Sequence, residues 1–149
     1  FSGTSGASAI VTGEDSASGG NINTRYISRR VTLEDGFDAS DLKIIINAYK
    51  PVDTGIEVYY KVKADEDSQD FDEKGYTLMS QETANTVYSL SEDDTKEYVY
   101  QSANESIEYT SGGAKFDRFK TFAIKIALTS SNAAVVPKVR DMRAIALDT

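Results

Sequence analysis

The chain contains no cysteine, no histidine and no tryptophan, and only two prolines among its 149 residues. Without cysteine there is no disulfide framework, no thiolate nucleophile and no thiolate metal site, and the redox compartment leaves no mark on the sequence. Without histidine the commonest general base and the commonest transition-metal ligand are missing, which rules out imidazole-based triads and zinc centres. No apolar run approaches the roughly 20 residues that a membrane-spanning helix needs, so no membrane partner is expected. Positive charge is also scarce: 16 Lys and Arg stand against 24 Asp and Glu, for a net charge of −8. A field of that sign repels phosphate backbones, and nucleic acid is not an expected partner. The residues begin at Phe1, with no initiator Met and no charged segment leading into an apolar core, as in a mature portion or piece of a longer chain.

What is present is ordinary globular material, 40% hydrophobic and 27% charged. A single domain of this length buries roughly 70% of the surface that its unfolded chain exposes, enough to fold without staples. Residues 1–24, "FSGTSGASAIVTGEDSASGGNINT", are too rich in Gly, Ser, Ala and Thr to offset their own ordering entropy and read as a linker or extended arm. Within them "SAIVTG" has the makings of a short strand where a sheet edge is on offer.

From Arg25 onward, apolar residues recur every second position. "RYISRRVTL" (25–33) reads as a strand that stops at the turn-rich "EDGFDASD". "LKIIINAY" places Leu42, Ile44, Ile46 and Ala48 on one face. After the breakers Pro51 and Gly55, "IEVYYKVK" alternates Ile56, Val58, Tyr60 and Val62 with Glu57, Tyr59, Lys61 and Lys63. An acidic loop, "ADEDSQDFDEKG", leads to a short strand at Tyr76–Met79. A long loop follows, with one helical turn expected after Ser91. "KEYVYQS" is a strand, "SIEYT" a weaker one and "SGGAK" a turn. In "FKTFAIKIAL", Phe122, Ile124, Ile126 and Leu128 oppose Thr121, Ala123, Lys125 and Ala127. Pro137 heads the last strand, where its missing N–H does least harm.

Seven or eight short strands, no amphipathic helix and no fixed repeat predict an all-β fold. The expectation is an antiparallel β-sandwich of jelly-roll-like form over 25–149, preceded by an extended N-terminal arm at 1–24.

Four fragments, in this order, carry a resemblance: "TRYISRRVTLEDGFDASDLKIIINAYKPVDTGIEVYYKV", "DSQDFDEKGYTLM", "FDRFKTFAIKIALTSSN" and "VPKVRDMRAIAL". Together, over roughly residues 24–147, they resemble a domain near the end of large virion structural proteins of contractile-tailed bacteriophages, notably those infecting cyanobacteria. The resemblance implies a building block of the virion, in its tail, baseplate or attached fibres. Its implied partners are other virion proteins or copies of itself. It brings no catalytic residues and no cofactor.

Individual residues bear on that expectation. Asp65, Glu66, Asp67, Asp70, Asp72 and Glu73 offer oxygens to Ca²⁺, but they lack the ordered spacing and glycine of an EF-hand loop, so a solvated acidic loop is the better reading and no metal site is assigned. Glu34, Asp35, Asp38 and Asp41 around Gly36 suit turn and cap chemistry. A pair of carboxylates could run glycoside hydrolysis, yet pairs among 24 acids mean little, and the chain is read as non-enzymatic. Among nine tyrosines, Tyr59 on the polar side of its strand, and Tyr98 and Tyr100 sharing a face, are candidates for subunit contacts, against the plainer reading that tyrosine suits half-buried strands. Arg25 and Arg29 on the first strand, and Arg140 and Arg143 on the last, are the basic interface candidates. With their neighbours Arg30 and Lys138, they are also expected to pair with the acidic loops or to protect sheet edges. The alternative reading is a carbohydrate- or host-receptor-binding module of a fibre, its partner a surface glycan held on Tyr or Phe.

Overall fold

Period-two patterning makes strands, and each strand with one apolar side needs a second layer to cover it. The computed structural model describes residues 25–82, 88–102, 106–131 and 136–148. The expected arm at 1–24 lies outside them. The strands are β1 (Arg25–Ile27), β2 (Val31–Thr32), β3 (Asp41–Tyr49), β4 (Thr54–Lys63), β5 (Thr77–Leu78), β6 (Ser80–Gln81), β7 (Lys96–Gln101), β8 (Tyr109–Ser111), β9 (Ala114–Phe116), β10 (Thr121–Ser130) and β11 (Lys138–Leu147). One sheet runs β1-β10-β4-β5, with β2 also on β10, and the second runs β11-β3-β7-β6. β8 and β9 form a separate hairpin. Every strand pairing among the described residues is antiparallel. The fold is thus all-β and two-layered, as the patterning predicts. The larger number of strands arises from pieces of two or three residues that periodicity alone does not separate.

The core lies between the sheets. Leu42, Ile44, Ile46 and Ala48 of β3 and Tyr98 and Tyr100 of β7 meet Ile56, Val58 and Val62 of β4 and Phe122, Ile124 and Ile126 of β10 in one continuous cluster. Burying each large aliphatic or aromatic side chain contributes about 1.5–3 kcal/mol, so β3, β4 and β10 supply most of the cohesion.

Three local outcomes differ from the sequence expectation. The single strand expected over Arg25–Leu33 is broken: β1 ends opposite Lys125 and β2 resumes opposite Phe122, which leaves one extra residue on this side. Ser28 fills the break. Its N–H donates to the Ile124 carbonyl and its Oγ accepts from the Ile124 N–H, each at 2.8 Å, so the bulged backbone keeps its partners. The short strand at Tyr76–Met79 changes layer. Thr77–Leu78 pairs with β4, Ser80–Gln81 pairs with β7, and Met79 between them is buried with its N–H on the Val58 carbonyl. The helical turn expected after Ser91 is a plain turn, closed by Asp94 N–H on the Ser91 carbonyl at 3.0 Å. The "SGG" turn does follow expectation: Gly112 and Gly113 take φ of +58° and +82° between paired Ser111 and Ala114, as a two-residue hairpin turn with both φ positive requires.

Candidate interaction surfaces

The two sheets differ on their outer sides. β4 and β10 were expected to keep one wet face, yet Phe122 through Ala127 are all buried, as are Tyr59 and Lys61. The cover is the segment from Ala64 to Tyr76, which folds back over the first sheet. It carries a single 3-10 turn at Phe71–Glu73, capped by the Asp70 carboxylate accepting from Asp72 N–H at 3.2 Å.

Cations and rings alternate through this cover. The Arg30 guanidinium lies 4.7 Å from the Phe71 ring centre, and Lys61 Nζ lies 5.1 Å from Phe71 on one side and 4.5 Å from Tyr76 on the other. Lys125 Nζ then sits 5.2 Å from Tyr76 and 5.4 Å from Tyr59. Carboxylates close both ends: Asp72 holds Arg30 at 3.1 Å, and Glu57 accepts from the Tyr59 hydroxyl at 2.5 Å. Desolvated cation–π contacts are worth about 2 kcal/mol each, so the stack fastens the cover. Burial lowers the Lys61 pKa; Asp72 pulls it back up, while Arg30 and Lys125 push it further down.

Beside the stack, Asp67 and Lys74 form a buried ion pair. Asp67 also accepts from Gln69 N–H at 2.9 Å, Ser111 Oγ at 2.9 Å and the Tyr109 hydroxyl at 2.8 Å. Lys74 Nζ donates to Gln69 Oε1 at 2.9 Å, and the Tyr109 oxygen accepts from Ala64 N–H at 2.6 Å. Burial alone would raise the Asp67 pKa; the hydrogen bonds from Lys74, Gln69, Tyr109 and Ser111 outweigh it and hold the carboxyl below its ordinary range. Burial pushes the Tyr109 hydroxyl up to about 12, with the Asp67 charge adding to the shift. The network ties the β8–β9 hairpin to the cover. A polar pocket of about 280 Å³ opens between them, lined among others by Tyr60, Lys61, Gln69, Thr77 and Tyr109.

The second sheet has no such cover among the described residues. Its outward side chains are Asp141, Arg143 and Ile145 on β11, Lys43, Ile45 and Asn47 on β3, and Glu97, Val99 and Gln101 on β7, all exposed or half-buried. Register places Arg143, Ile45 and Val99 in one row across the three strands. Arg143 pairs with Glu97 at 3.2 Å and Lys43 with Glu82 at 3.9 Å, so an apolar centre is framed by ion pairs.

At one side of the sandwich the layers do not close among the described residues. β11 is the end strand of its sheet, while the opposing β1 has only three residues. Between them lies a groove of about 480 Å³ lined by Tyr26, Ile126, Leu128, Val139, Arg140 and Met142. The β11 ladder slips between Val139 and Asp141, which bulges Arg140 out of register.

The expected contact residues divide sharply. Tyr59, Tyr98 and Tyr100 are buried within this chain, at 0%, 3% and 3% exposure, which corrects the expectation that they point outward. Tyr59 lies under the cover; Tyr98 and Tyr100 belong to the core, and Tyr100 donates to the Ile56 carbonyl at 3.3 Å. Arg29, Arg140 and Arg143 are exposed. Arg143 stands on the bare face, Arg140 lines the groove, and Arg25 begins β1 opposite Ala127. Arg30, Lys138 and Arg143 pair with Asp72, Glu92 and Glu97, in keeping with charge pairing to acidic neighbours. The acidic loop is structurally employed as well: Asp67 faces inward, Asp70 caps, Asp72 holds Arg30. Sequence reasoning missed the covered face of the first sheet. The available signal was "FAIKIAL", where small apolar Ala123 and Ala127 flank Lys125 on the supposedly wet side. No protein-family model, curated protein or solved structure matches the chain.

Proposed function

We propose that the chain is a non-enzymatic structural domain of a tailed-phage virion, in its tail, baseplate or fibre region, acting through protein–protein contacts. Its sandwich is read as jelly-roll-like, and its partners as other virion proteins or copies of itself. One observation carries this reading: among the described residues the outer face of the second sheet has no cover, is apolar at its centre through Ile45 and Val99, and is rimmed by Arg143–Glu97 and Lys43–Glu82. That layout matches an apolar interface centre inside a polar rim. Charges on the rim set orientation and partner choice more than affinity. Antibodies raised against the purified chain should label tailed particles at one fixed level in negative stain, and Val99→Lys should abolish incorporation while the chain stays folded. Absence of label from both intact and disrupted particles would refute the role.

The polar pocket beside Tyr109 supports a second reading, a glycan- or receptor-binding module. Its ring, amide and hydroxyl groups are of the kinds that hold a sugar. A glycan array probed with the full chain separates the two: micromolar binding that is lost in Gln69→Ala favours the second reading.

A further inference from the structure

The edge of β4 that faces β5 falls out of use before the strand ends. In an antiparallel ladder, alternate residues turn their N–H and C=O to the same edge. The Val58 carbonyl accepts from Met79 N–H at 2.8 Å, and Tyr60 stands opposite Thr77. Val58, Tyr60 and Val62 therefore serve this edge, leaving the odd-numbered residues to β10. Gly75 would be the next partner, opposite Val62, yet the ladder stops at Thr77. One step further on, Ala64 N–H is taken by the Tyr109 hydroxyl at 2.6 Å. The N–H and C=O of buried Val62 thus lie between two occupied positions, and neither has a hydrogen bond among the described residues. Buried backbone groups are rarely left without a partner.

The polar pocket of about 280 Å³ opens at this rung, with Val62 and Gly75 in its lining. Its charged groups are engaged already: Lys74 with Asp67, Glu108 with Lys115 at 3.0 Å, and Lys61 between the rings of Phe71 and Tyr76. Gln69 is held in one orientation, because its Oε1 accepts from Lys74 Nζ at 2.9 Å and from Ser111 Oγ at 3.3 Å. Lysine only donates, so the amide is fixed and its NH2 is left with no acceptor among the described residues. Thr77 and Thr110 add hydroxyls to the lining. What the pocket has to offer is a set of neutral donors and acceptors.

We propose that the pocket is a subsite for a single pyranose ring, held at Val62 through two adjacent hydroxyls. One donates its proton to the Val62 carbonyl, the neighbouring oxygen accepts from the Val62 N–H, and Gln69 Nε2 donates to a further oxygen. This rests on the glycan-binding reading of the pocket and names the chemistry that reading requires. Adjacent hydroxyls suit the rung because the N–H and C=O of one extended residue point to the same side. A single amide does not, since its own N–H and C=O point apart. A neutral sugar fits better than an anion, because every cation in the lining is engaged. Strand addition by a peptide draws on a row of rungs, and β4 has one between Thr77 and Tyr109.

The Val62 amide reports on this directly. The full chain, labelled with ¹⁵N, is titrated with the methyl α-glycosides of glucose, galactose and mannose, with their single-deoxy analogues, and with the peptide acetyl-Ala-Ala-Ala-amide. With at least one glycoside, the Val62 amide proton should shift downfield and saturate, at about millimolar strength for so small a ligand. Its hydrogen exchange should slow in the same titration. Removing either of the two hydroxyls should weaken binding about tenfold or more. Binding by a glycoside that is sensitive to Gln69→Ala but leaves the Val62 amide unmoved overturns this proposal and spares the glycan reading. So does a parent glycoside that binds no better than all its deoxy analogues. A Val62 response to the peptide and to none of the glycosides overturns it in favour of a protein partner. No binding by any sugar, here or on the array, overturns both.

Discussion

Asp67 and Lys74 are 4% and 7% exposed, and each holds the other's charge away from solvent. Pairs of this kind add little over an apolar substitute, but removing one partner strands the other. Lys74→Met should therefore cost about 3–5 kcal/mol in urea denaturation, and a loss under about 1 kcal/mol would mean that Asp67 finds water. The pair also sets the acid limb of stability. Because the folded carboxyl titrates below its unfolded value, its contribution is complete above about pH 4 and is lost as pH falls from there toward the folded value. The acid limb should flatten in Lys74→Met.

At the scale of the element, the cover on the first sheet depends on few anchors. Phe71 is buried between Arg30 and Lys61. Phe71→Ala should cost about 3 kcal/mol or more and open the layer, so that Lys61 and Lys125, sealed in the parent, become acylated by an amine-reactive ester in mass spectrometry. Strand pairing is sensitive elsewhere. Gly55 lies opposite Thr129, and a Cβ there would run into Thr129 Oγ1. Gly55→Ala should destabilise by about 1–3 kcal/mol. Adding Thr129→Ala should restore most of that loss, giving a large coupling in a double-mutant cycle.

Elements also show what was legible. β3 needed nothing beyond its own period: Leu42, Ile44, Ile46 and Ala48 are the buried side. β4 and β10 were recognisable as strands, yet their second faces were misjudged, because the cover comes from residues distant in sequence or register and strand periodicity is blind to it. For the same reason the three tyrosines were expected outside. Tyr59 alternates correctly with its neighbours and is still buried, since what decides its surroundings is Tyr76 and Lys125. Arg29, Arg140 and Arg143 are exposed because charge keeps an arginine at the surface wherever its strand lies. The groove and the bare face depend on which strand ends which sheet, and local pattern does not encode that.

For the molecule as a whole, alkaline pH should be more damaging than mild acid. Burial raises the Tyr100 and Tyr109 hydroxyls, the latter to about 12. A group that keeps its proton longer when folded contributes fully below its unfolded value, about 10, and loses that contribution as pH climbs through the folded one. Unfolding free energy should fall between about pH 10 and 12, together with a rise in phenolate absorbance. Tyr109→Phe should remove part of the drop.

The unequal backs of the two sheets have a geometric consequence. On the role proposed above, a slab that meets its partners through one broad side, and carries its own polypeptide on the other, cannot stack into an endless column through that side. Two such slabs meeting front to front exhaust it, and any larger array must grow through rims or through dissimilar neighbours.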